Sequence, residues 1–184
     1  MKFIPQLIPE VVLIEHNVIQ DDRGYFLETF RQNLLEKALG YHVNFVQENE
    51  SKSTKGVLRG LHYQMPPHAQ AKLVKVTEGE VLDIAVDIRK SSPTFCCHVA
   101  VKLSSENKNQ LFIPQGFAHG YVLLSDNATL NYKVDNYYAQ LYECGIAFDD
   151  KDLAIDWKLS LDHLKLSTKD RSNPTLANAK YLFE

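Results

Sequence analysis

The chain has 184 residues, with 20 basic and 23 acidic side chains and a formal net charge of −3. Hydrophobic residues make up 45% of the chain and charged residues 23%, which excludes a disordered, collagen-like or coiled-coil protein. This length predicts one domain spanning residues 1–184. The mildly acidic charge argues against nucleic acid as a partner. A membrane is not expected as a partner either, because no apolar run approaches the ~18 residues of a membrane span.

Period-two alternation of apolar residues predicts that most of the chain is β-strand. The clearest run spans residues 81–88 and is bounded by turn residues at Glu78-Gly79 and Ser91-Ser92-Pro93. In chain order, similar runs occur at Val11–Ile14, Tyr25–Phe30, Val43–Gln47, Val57–Tyr63, Lys72–Val76, Val99–Leu103, Leu111–Ile113, Gly120–Leu124 and Thr129–Val134. Many short strands separated by turns are typical of an all-β sandwich or barrel.

Two segments have the pattern of a helix. Gln32–Leu39 places its leucines on one side and ends before Gly40, a residue that favours helix termination. Pro174–Leu182 begins after Asn173, a good N-cap, with proline at the first helical position. The predicted fold is therefore mainly β, with a few short peripheral helices.

The cysteines and the N-terminal residues bear on the cellular compartment. The chain has three cysteines, an odd number, and their spacing does not fit a metal site: Cys96, Cys97 and Cys144. We expect all three to be reduced thiols that serve in packing. Pro5 and Pro9 interrupt any apolar region of a signal peptide. We therefore expect a cytoplasmic protein.

The segment Gly56–Gln64 places an arginine and a histidine inside a strand pattern that otherwise favours Val or Ile. An exposed strand face is the simplest interpretation of either residue. Gly60, however, indicates a bulge or a close approach by another group. Strict alternation puts Arg59 and His62 on opposite faces, so either Gly60 introduces a bulge or Arg59 reaches a site by another route, such as across a dimer interface.

A second histidine, His119, lies in the glycine-flanked turn Pro114–Gly120. Pro-x-Gly-x-x-His is half of the pattern of metal-binding cupins, whose other half is His-x-His followed by a glutamate. Here that half reads His62-Tyr63-Gln64, and His68 and Ala69 stand where the glutamate would fall. The ligand set is incomplete, so we expect no metal, and a metal-dependent cupin enzyme is an alternative.

Without a metal, His62 is a candidate general base, because an imidazole titrates near neutral pH. Such a base needs an orienting partner, commonly a carboxylate. Asp83 and Asp170 both qualify, and the sequence leaves the choice between them open.

Tyrosines and scattered cations form the remaining candidates. The simplest role for any one tyrosine is packing in the core. The simplest interpretation of any one charged residue is a solvent-exposed position on the surface. The tyrosines are Tyr132, Tyr137, Tyr138 and Tyr142, and the cations are Arg23, Arg59, Lys72 and Lys169.

Seven short motifs follow one another over almost the whole chain. They are Asp22-Arg23-Gly24-x-Phe26-x-Glu28, Gly56-Val57-Leu58-Arg59-Gly60-Leu61-His62-Tyr63-Gln64, Ala69-Gln70-x-Lys72-Leu73-Val74, Pro114-x-Gly116-Phe117-Ala118-His119-Gly120, Tyr132-Lys133, Glu143-x-Gly145-Ile146 and Leu166-Ser167-x-Lys169-Asp170. Each is modest alone, but together, in this order, they are specific. The sequence resembles the dTDP-4-dehydrorhamnose 3,5-epimerases.

The resemblance implies a cupin-type jelly roll that forms a homodimer and uses no cofactor or metal. It implies epimerisation of dTDP-4-dehydro-6-deoxy-D-glucose at carbons 3 and 5 to dTDP-4-dehydro-L-rhamnose. His62 would be the base, Asp170 its partner, Tyr132 the proton donor on the opposite face and Lys72 the group that holds the ketone oxygen. The implied substrate-binding residues are Arg23, Glu28, Gln47, Asn49, Arg59, His119, Tyr138, Glu143 and Lys169, with Tyr138 stacking on thymine.

These residue types suit the chemistry. A proton beside a ketone is removed only if the developing enolate is stabilised, and an ammonium can do this. Inversion needs a base on one face and an acid on the other, and guanidinium groups suit a diphosphate. The alternatives are an epimerase acting at one carbon of a related sugar, the metal-dependent cupin named above, and a non-catalytic sugar-binding cupin.

Overall fold

The computed structural model describes residues 1–184, and its regular secondary structure is mainly antiparallel strand. The strands are β1 (Lys2–Pro5), β2 (Val12–Glu15), β3 (Ile19–Asp21), β4 (Gly24–Phe26), β5 (Gln47–Thr54), β6 (Leu58–Gln64), β7 (Lys72–Glu78), β8 (Glu80–Asp87), β9 (His98–Ser104), β10 (Gln110–Ile113), β11 (Phe117–Leu123), β12 (Asn127–Val134) and β13 (Glu143–Gly145). The helices are α1 (Gln32–Leu39) and α2 (Thr168–Arg171), and short 3-10 turns lie at Gln140–Tyr142, Leu161–His163 and Leu176–Asn178.

The strands form two large sheets whose neighbours are mostly distant in sequence. One sheet has six strands in the order β1-β2-β10-β7-β12-β5, and the other has five in the order β13-β6-β11-β8-β9. Strands β3 and β4 form a separate hairpin. This arrangement confirms the prediction of a mainly β jelly roll with few short helices.

Alternation along each strand divides the apolar residues between the interior and the outer faces. On β8, Val81 and Ala85 belong to the cluster that both sheets share, whereas Leu82, Ile84 and Val86 pack outside it. The C-terminal segment that follows β13 covers the outer cluster with Ile146, Leu153, Trp157, Leu164 and Leu176. Helix α1 covers part of the six-stranded sheet, where Leu35 is buried in a third cluster.

The boundaries of α1 confirm its prediction, and Gly40 adopts the left-handed conformation with φ of 78°. The predicted helix Pro174–Leu182 is wrong, since only a 3-10 turn forms there. Leu176 is buried in the outer cluster, and the Phe183 carbonyl accepts a hydrogen bond from the Lys90 amide. These tertiary contacts favour an extended tail over a helix. Neither helix is long and apolar enough to cross a membrane.

Two predicted strands differ most from the observed ones. The run Tyr25–Phe30 contributes only its first two residues to β4. The run Val43–Gln47 precedes the strand rather than forming it, because β5 begins at Gln47. Strand β5 is polar along its whole length, so apolar alternation gives no sign of it.

Candidate functional site

A cavity of about 490 Å³ opens between the two sheets. Its lining is predominantly polar and comprises Gln47, Asn49, Glu50, Ser51, Arg59, His62, Tyr63, Gln64, Gln70, Lys72, His119, Tyr121, Tyr132, Tyr138, Glu143, Ser167, Lys169 and Asp170. The cavity therefore brings together most of the site residues predicted from the sequence, including the four assigned to chemistry.

Interior-facing rows of the strands supply much of this lining. On β7, Lys72 shares its parity with Val74 and Val76, which belong to the interior apolar cluster. On β12, Tyr132 likewise shares its parity with buried Leu130. The polar residues are thus held by strands whose neighbouring inward side chains are packed in the core.

A bulge on β6 places Arg59 and His62 on the same cavity. His119 of β11 pairs with His62 of β6, and Tyr121 of β11 pairs with Arg59 of β6. The step between these two pairs is two residues on β11 but three on β6, so β6 contains one extra residue. Gly60 sits in this irregularity with φ of 131°, and an added Cβ would lie 2.5 Å from the Cα of Gly120. Of the two explanations considered for Arg59, the structure has the bulge.

His62 forms a dyad with Asp170. The two are joined by a 2.6 Å contact between Nε2 of His62 and Oδ1 of Asp170, whose side chain is 4% exposed. Burial alone would raise the pKa of Asp170, but hydrogen bonds from His62 and Ser167 bring it below its ordinary value. An ionised carboxylate only accepts hydrogen bonds, so Nε2 carries the proton and Nδ1 is left as the basic nitrogen.

The other candidate carboxylate, Asp83, contacts a different histidine. Both of its oxygens lie 3.0 Å from Nε2 of His119. Burial lowers the pKa of His119, and the nearby Asp83 carboxylate offsets this only in part. Each of the two cavity histidines therefore has its own orienting carboxylate.

Lys72 is a buried cation inside the cavity. Its Nζ donates a 3.3 Å hydrogen bond to the carbonyl oxygen of His62. Burial lowers its pKa to about 8, against the opposing influence of Asp83 and Glu143. The amine thus remains mostly protonated at neutral pH, with few partners to satisfy its charge.

Tyr132 presents a protonated phenol to the same cavity. Burial raises its pKa, while Asn49 and Arg59 pull it back in part. A phenol in this state can donate a proton, and the adjacent strand β5 brings Asn49 opposite Tyr132 in the ladder.

Tyr138 lies at the cavity mouth on the segment that follows β12. Its hydroxyl donates a 2.8 Å hydrogen bond to Glu143, and its amide donates a 3.1 Å bond to Gln47. Glu143 is also paired with Lys169. Half of the Tyr138 side chain remains exposed, so its ring is free to meet a ligand.

Gln64 anchors that segment from the cavity wall. Its amide group donates to the carbonyls of His68 at 2.7 Å and Tyr137 at 3.2 Å, and its oxygen accepts from the Ala139 amide at 2.7 Å. Gln64 occupies the position of the second histidine in the metal-binding cupin pattern, and these bonds engage its whole carboxamide. No group of three His, Cys, Asp or Glu side chains is placed to hold a metal ion.

Comparison with known proteins identifies the family. The family model described as dTDP-4-dehydrorhamnose 3,5-epimerase matches residues 5–178. A dTDP-4-dehydrorhamnose 3,5-epimerase of Shigella flexneri is 52% identical over 181 residues, covering 98% of this chain and 99% of that protein. This chain belongs to the dTDP-4-dehydrorhamnose 3,5-epimerase family.

Solved structures of the epimerase family share the whole fold. The enzyme from Elizabethkingia anophelis has a TM-score of 0.95 at 45% identity, covering 98% of this chain and 99% of its own. An epimerase from Legionella pneumophila in complex with dTDP-4-keto-L-rhamnose has a TM-score of 0.92 at 47% identity, covering 96% of this chain and 93% of its own. A 3'-monoepimerase from Streptomyces bikiniensis, in complex with dTDP-quinovose, is less similar, with a TM-score of 0.86 at 34% identity over 94% of this chain and 87% of its own.

Arg23 and Glu28 do not reach the cavity of this epimerase-family chain. Arg23 lies at the turn of the β3–β4 hairpin and pairs with Asp21. Glu28 follows the hairpin, and its carboxylate lies 3.9 Å from Arg31. Both are absent from the cavity lining, in contrast to the other predicted substrate-binding residues.

Several lining residues went unpredicted. Ser51 and Tyr121 are joined by a 2.7 Å hydrogen bond across the cavity wall. Strand alternation could have predicted both, because residues two apart on a strand face the same side. Ser51 is two residues beyond Asn49, and Tyr121 is two residues beyond His119. Gln64 carried the same signal, because it is two residues beyond His62. Ser167 lies outside the strands, and its role follows only from its hydrogen bonds to Asp170.

Proposed function

We propose that this chain converts dTDP-4-dehydro-6-deoxy-D-glucose to dTDP-4-dehydro-L-rhamnose by inverting carbons 3 and 5. The observation that carries the proposal is one cavity lined by an imidazole–carboxylate dyad, a protonated phenol and a buried ammonium. These are the base, the acid and the oxyanion stabiliser that epimerisation beside a ketone requires.

His62 is the base in this mechanism. Asp170 accepts a hydrogen bond from the N–H of Nε2, which leaves the lone pair of Nδ1 free to act as the base. Nδ1 removes one proton from carbon 3 and one from carbon 5, and each is released to solvent before the next is taken. Asp170 also stabilises the imidazolium that forms.

Lys72 holds the ketone oxygen as it becomes an enolate. Its ammonium is buried, so its charge acts through little water, and such a donor contributes ~3–4 kcal/mol to the transition state. Tyr132 then returns a proton to carbon on the opposite face, and the raised pKa of its phenol keeps that proton in place until it is needed. The phenolate takes a proton from solvent before the second carbon is inverted.

The remaining cavity residues hold the nucleotide. Arg59 and Lys169 supply positive charge for the diphosphate, and Tyr138 offers an exposed aromatic face to thymine. Hydrogen-bonding contacts to the sugar and base come from the polar side chains Gln47, Asn49, His119 and Glu143.

We also propose a homodimer in which the β3–β4 hairpin enters the cavity of the other protomer. The hairpin exposes Ile19, Tyr25 and Phe26 by 59%, 58% and 69%, a cluster that favours burial at an interface. Arg23 and Glu28 could then bind substrate from across the dimer.

Mixing of variants tests that arrangement. Arg23→Ala and His62→Ala chains are each expected to be impaired, and a mixture is expected to regain activity, since one site in a hybrid dimer has both residues. A sedimentation mass near 21.0 kDa, or no recovery on mixing, contradicts the dimer proposal.

The reaction itself is tested by proton NMR of the dTDP sugar in heavy water. The wild-type chain is expected to introduce deuterium at both carbons and to invert both. His62→Ala is expected to abolish exchange, and Tyr132→Phe to retain some proton loss without inversion. Exposed His163→Ala and Tyr181→Phe, whose side chains are outside the cavity, serve as matched controls.

Three outcomes point elsewhere. Deuterium at one carbon only indicates a single-position epimerase, the activity named for the Streptomyces bikiniensis neighbour. Binding without exchange indicates a sugar-binding protein. Loss of activity on chelation, restored by a stoichiometric metal, contradicts the proposal that no metal or other cofactor is used.

A cytoplasmic location is a further part of the proposal. Cys96, Cys97 and Cys144 are all free thiols, which suits a reducing compartment. Cell fractionation tests this location directly, and recovery of the chain outside the cytoplasm contradicts it.

A further inference from the structure

Ser167 lies beside the His62–Asp170 dyad at the cavity wall and makes two hydrogen bonds to Asp170. Its Oγ accepts a 3.1 Å bond from the Asp170 amide, which makes it the N-cap of α2. The same hydroxyl donates a 2.6 Å bond to Oδ2 of the Asp170 carboxylate. One short side chain therefore fixes both the backbone and the carboxylate of the dyad partner.

The two carboxylate oxygens of Asp170 have separate partners. Oδ1 faces Nε2 of His62 at 2.6 Å and also accepts a longer 3.4 Å bond from the Gly60 amide. Oδ2 has only the Ser167 hydroxyl as a side-chain donor. Rotation of the carboxylate would break both sets of contacts, so Ser167 and His62 hold it from opposite ends.

We propose that Ser167 is a positioning residue for the epimerase reaction, because its hydroxyl holds the Asp170 carboxylate in the orientation that presents Nδ1 of His62 to the substrate. This inference rests on the proposed role of His62 as the base. Ser167 acts through Asp170, so its removal impairs the chemical step and leaves substrate binding largely intact.

The expected size follows from other histidines that are oriented by a carboxylate. Where such a histidine binds a metal, loss of its outer hydrogen-bonding partner typically costs ~10–100-fold in metal affinity or activity, and we take the lower end for the His62–Asp170 dyad. We expect Ser167→Ala to lower kcat for deuterium exchange at both carbons about 10-fold, with KM unchanged within about twofold. Ser167→Thr keeps the hydroxyl and is expected to restore most of kcat.

Two further variants separate positioning from folding. Ser167→Gly also removes the hydroxyl, but glycine is a tolerable N-cap, so it keeps the test available if the alanine variant does not fold. Ser172→Ala is the matched control, since Ser172 is exposed at the other end of α2 and donates to the Lys169 carbonyl. It is expected to have wild-type kcat.

A spectroscopic measurement accompanies the kinetics. The ring N–H of His62, hydrogen bonded to Asp170, is expected to give a downfield proton resonance, assigned by its loss in His62→Ala. Ser167→Ala and Ser167→Gly are expected to shift or broaden it, and Ser167→Thr to retain it.

Each result has a distinct meaning. Wild-type kcat in a folded Ser167→Ala or Ser167→Gly chain overturns the inference, as does a raised KM with unchanged kcat, which would indicate direct contact with substrate. A loss of kcat that threonine does not restore also overturns it. If His62→Ala itself retains exchange, the proposed function fails instead.

Discussion

The depressed pKa of Lys72 predicts a loss of activity on the alkaline side of neutrality. The amine must be protonated to stabilise the enolate, and burial brings its pKa to about 8. With that value, about 90% of the amine is charged at pH 7 and about 10% at pH 9. Because kcat/KM reports the free enzyme, it should fall about 10-fold over this range.

Other cavity groups do not explain such a fall. The phenols of Tyr132 and Tyr138 have raised pKa values, through burial and through the hydrogen bond to Glu143 respectively, so both remain protonated at pH 9. Loss of the Lys72 proton is therefore the change expected first as the solution becomes alkaline.

Initial rates of deuterium exchange between pH 6.5 and pH 9.5 measure the effect in the wild type and in Lys72→Arg. Arginine stays charged throughout, so its profile is expected to be flat on the alkaline side, at a lower rate. Lys72→Met removes the charge and is expected to lose about 100- to 1000-fold at all pH values. A wild-type rate that is constant from pH 7 to pH 9, or an equal fall in Lys72→Arg, refutes the reasoning.

Two further predictions concern residues that shape the cavity. Gln64→Leu removes two hydrogen bonds that hold the Tyr138 segment and a third to the His68 carbonyl, so KM for the dTDP sugar should rise about 10-fold in steady-state assays while kcat changes little. Gln115→Leu, at an exposed glutamine outside the cavity, is the control, and an unchanged KM for Gln64→Leu contradicts the role of Gln64. Gly60→Ala should lower the free energy of unfolding by more than about 3 kcal/mol in urea titrations. The new Cβ would lie 2.5 Å from the backbone of β11, and the φ of 131° is strained for alanine. A loss below about 1 kcal/mol would contradict the close approach of the two strands.

The amino-acid sequence was sufficient for the fold class, helix α1 and most of the site. Period-two alternation marks strands such as β8 because one face of each packs in an apolar cluster. The bulge at Gly60 was foreseen as one of two alternatives, because glycine inside a strand pattern needs a local reason. The motifs that carry His62, Lys72, Tyr132 and Asp170 likewise predicted a shared cavity.

Residue chemistry left Asp83 and Asp170 as equally plausible partners of His62, and the tertiary structure decided for Asp170, the partner that the family resemblance implied. The tertiary structure also placed Arg23 outside the cavity of its own protomer. Strand β5 and the C-terminal tail were mispredicted for a related reason. A strand between a polar cavity and solvent shows no apolar alternation, and a tail held by distant contacts does not follow its local helix preference. Local sequence reports the preference of a segment, whereas its partners are known only once the chain has folded around it.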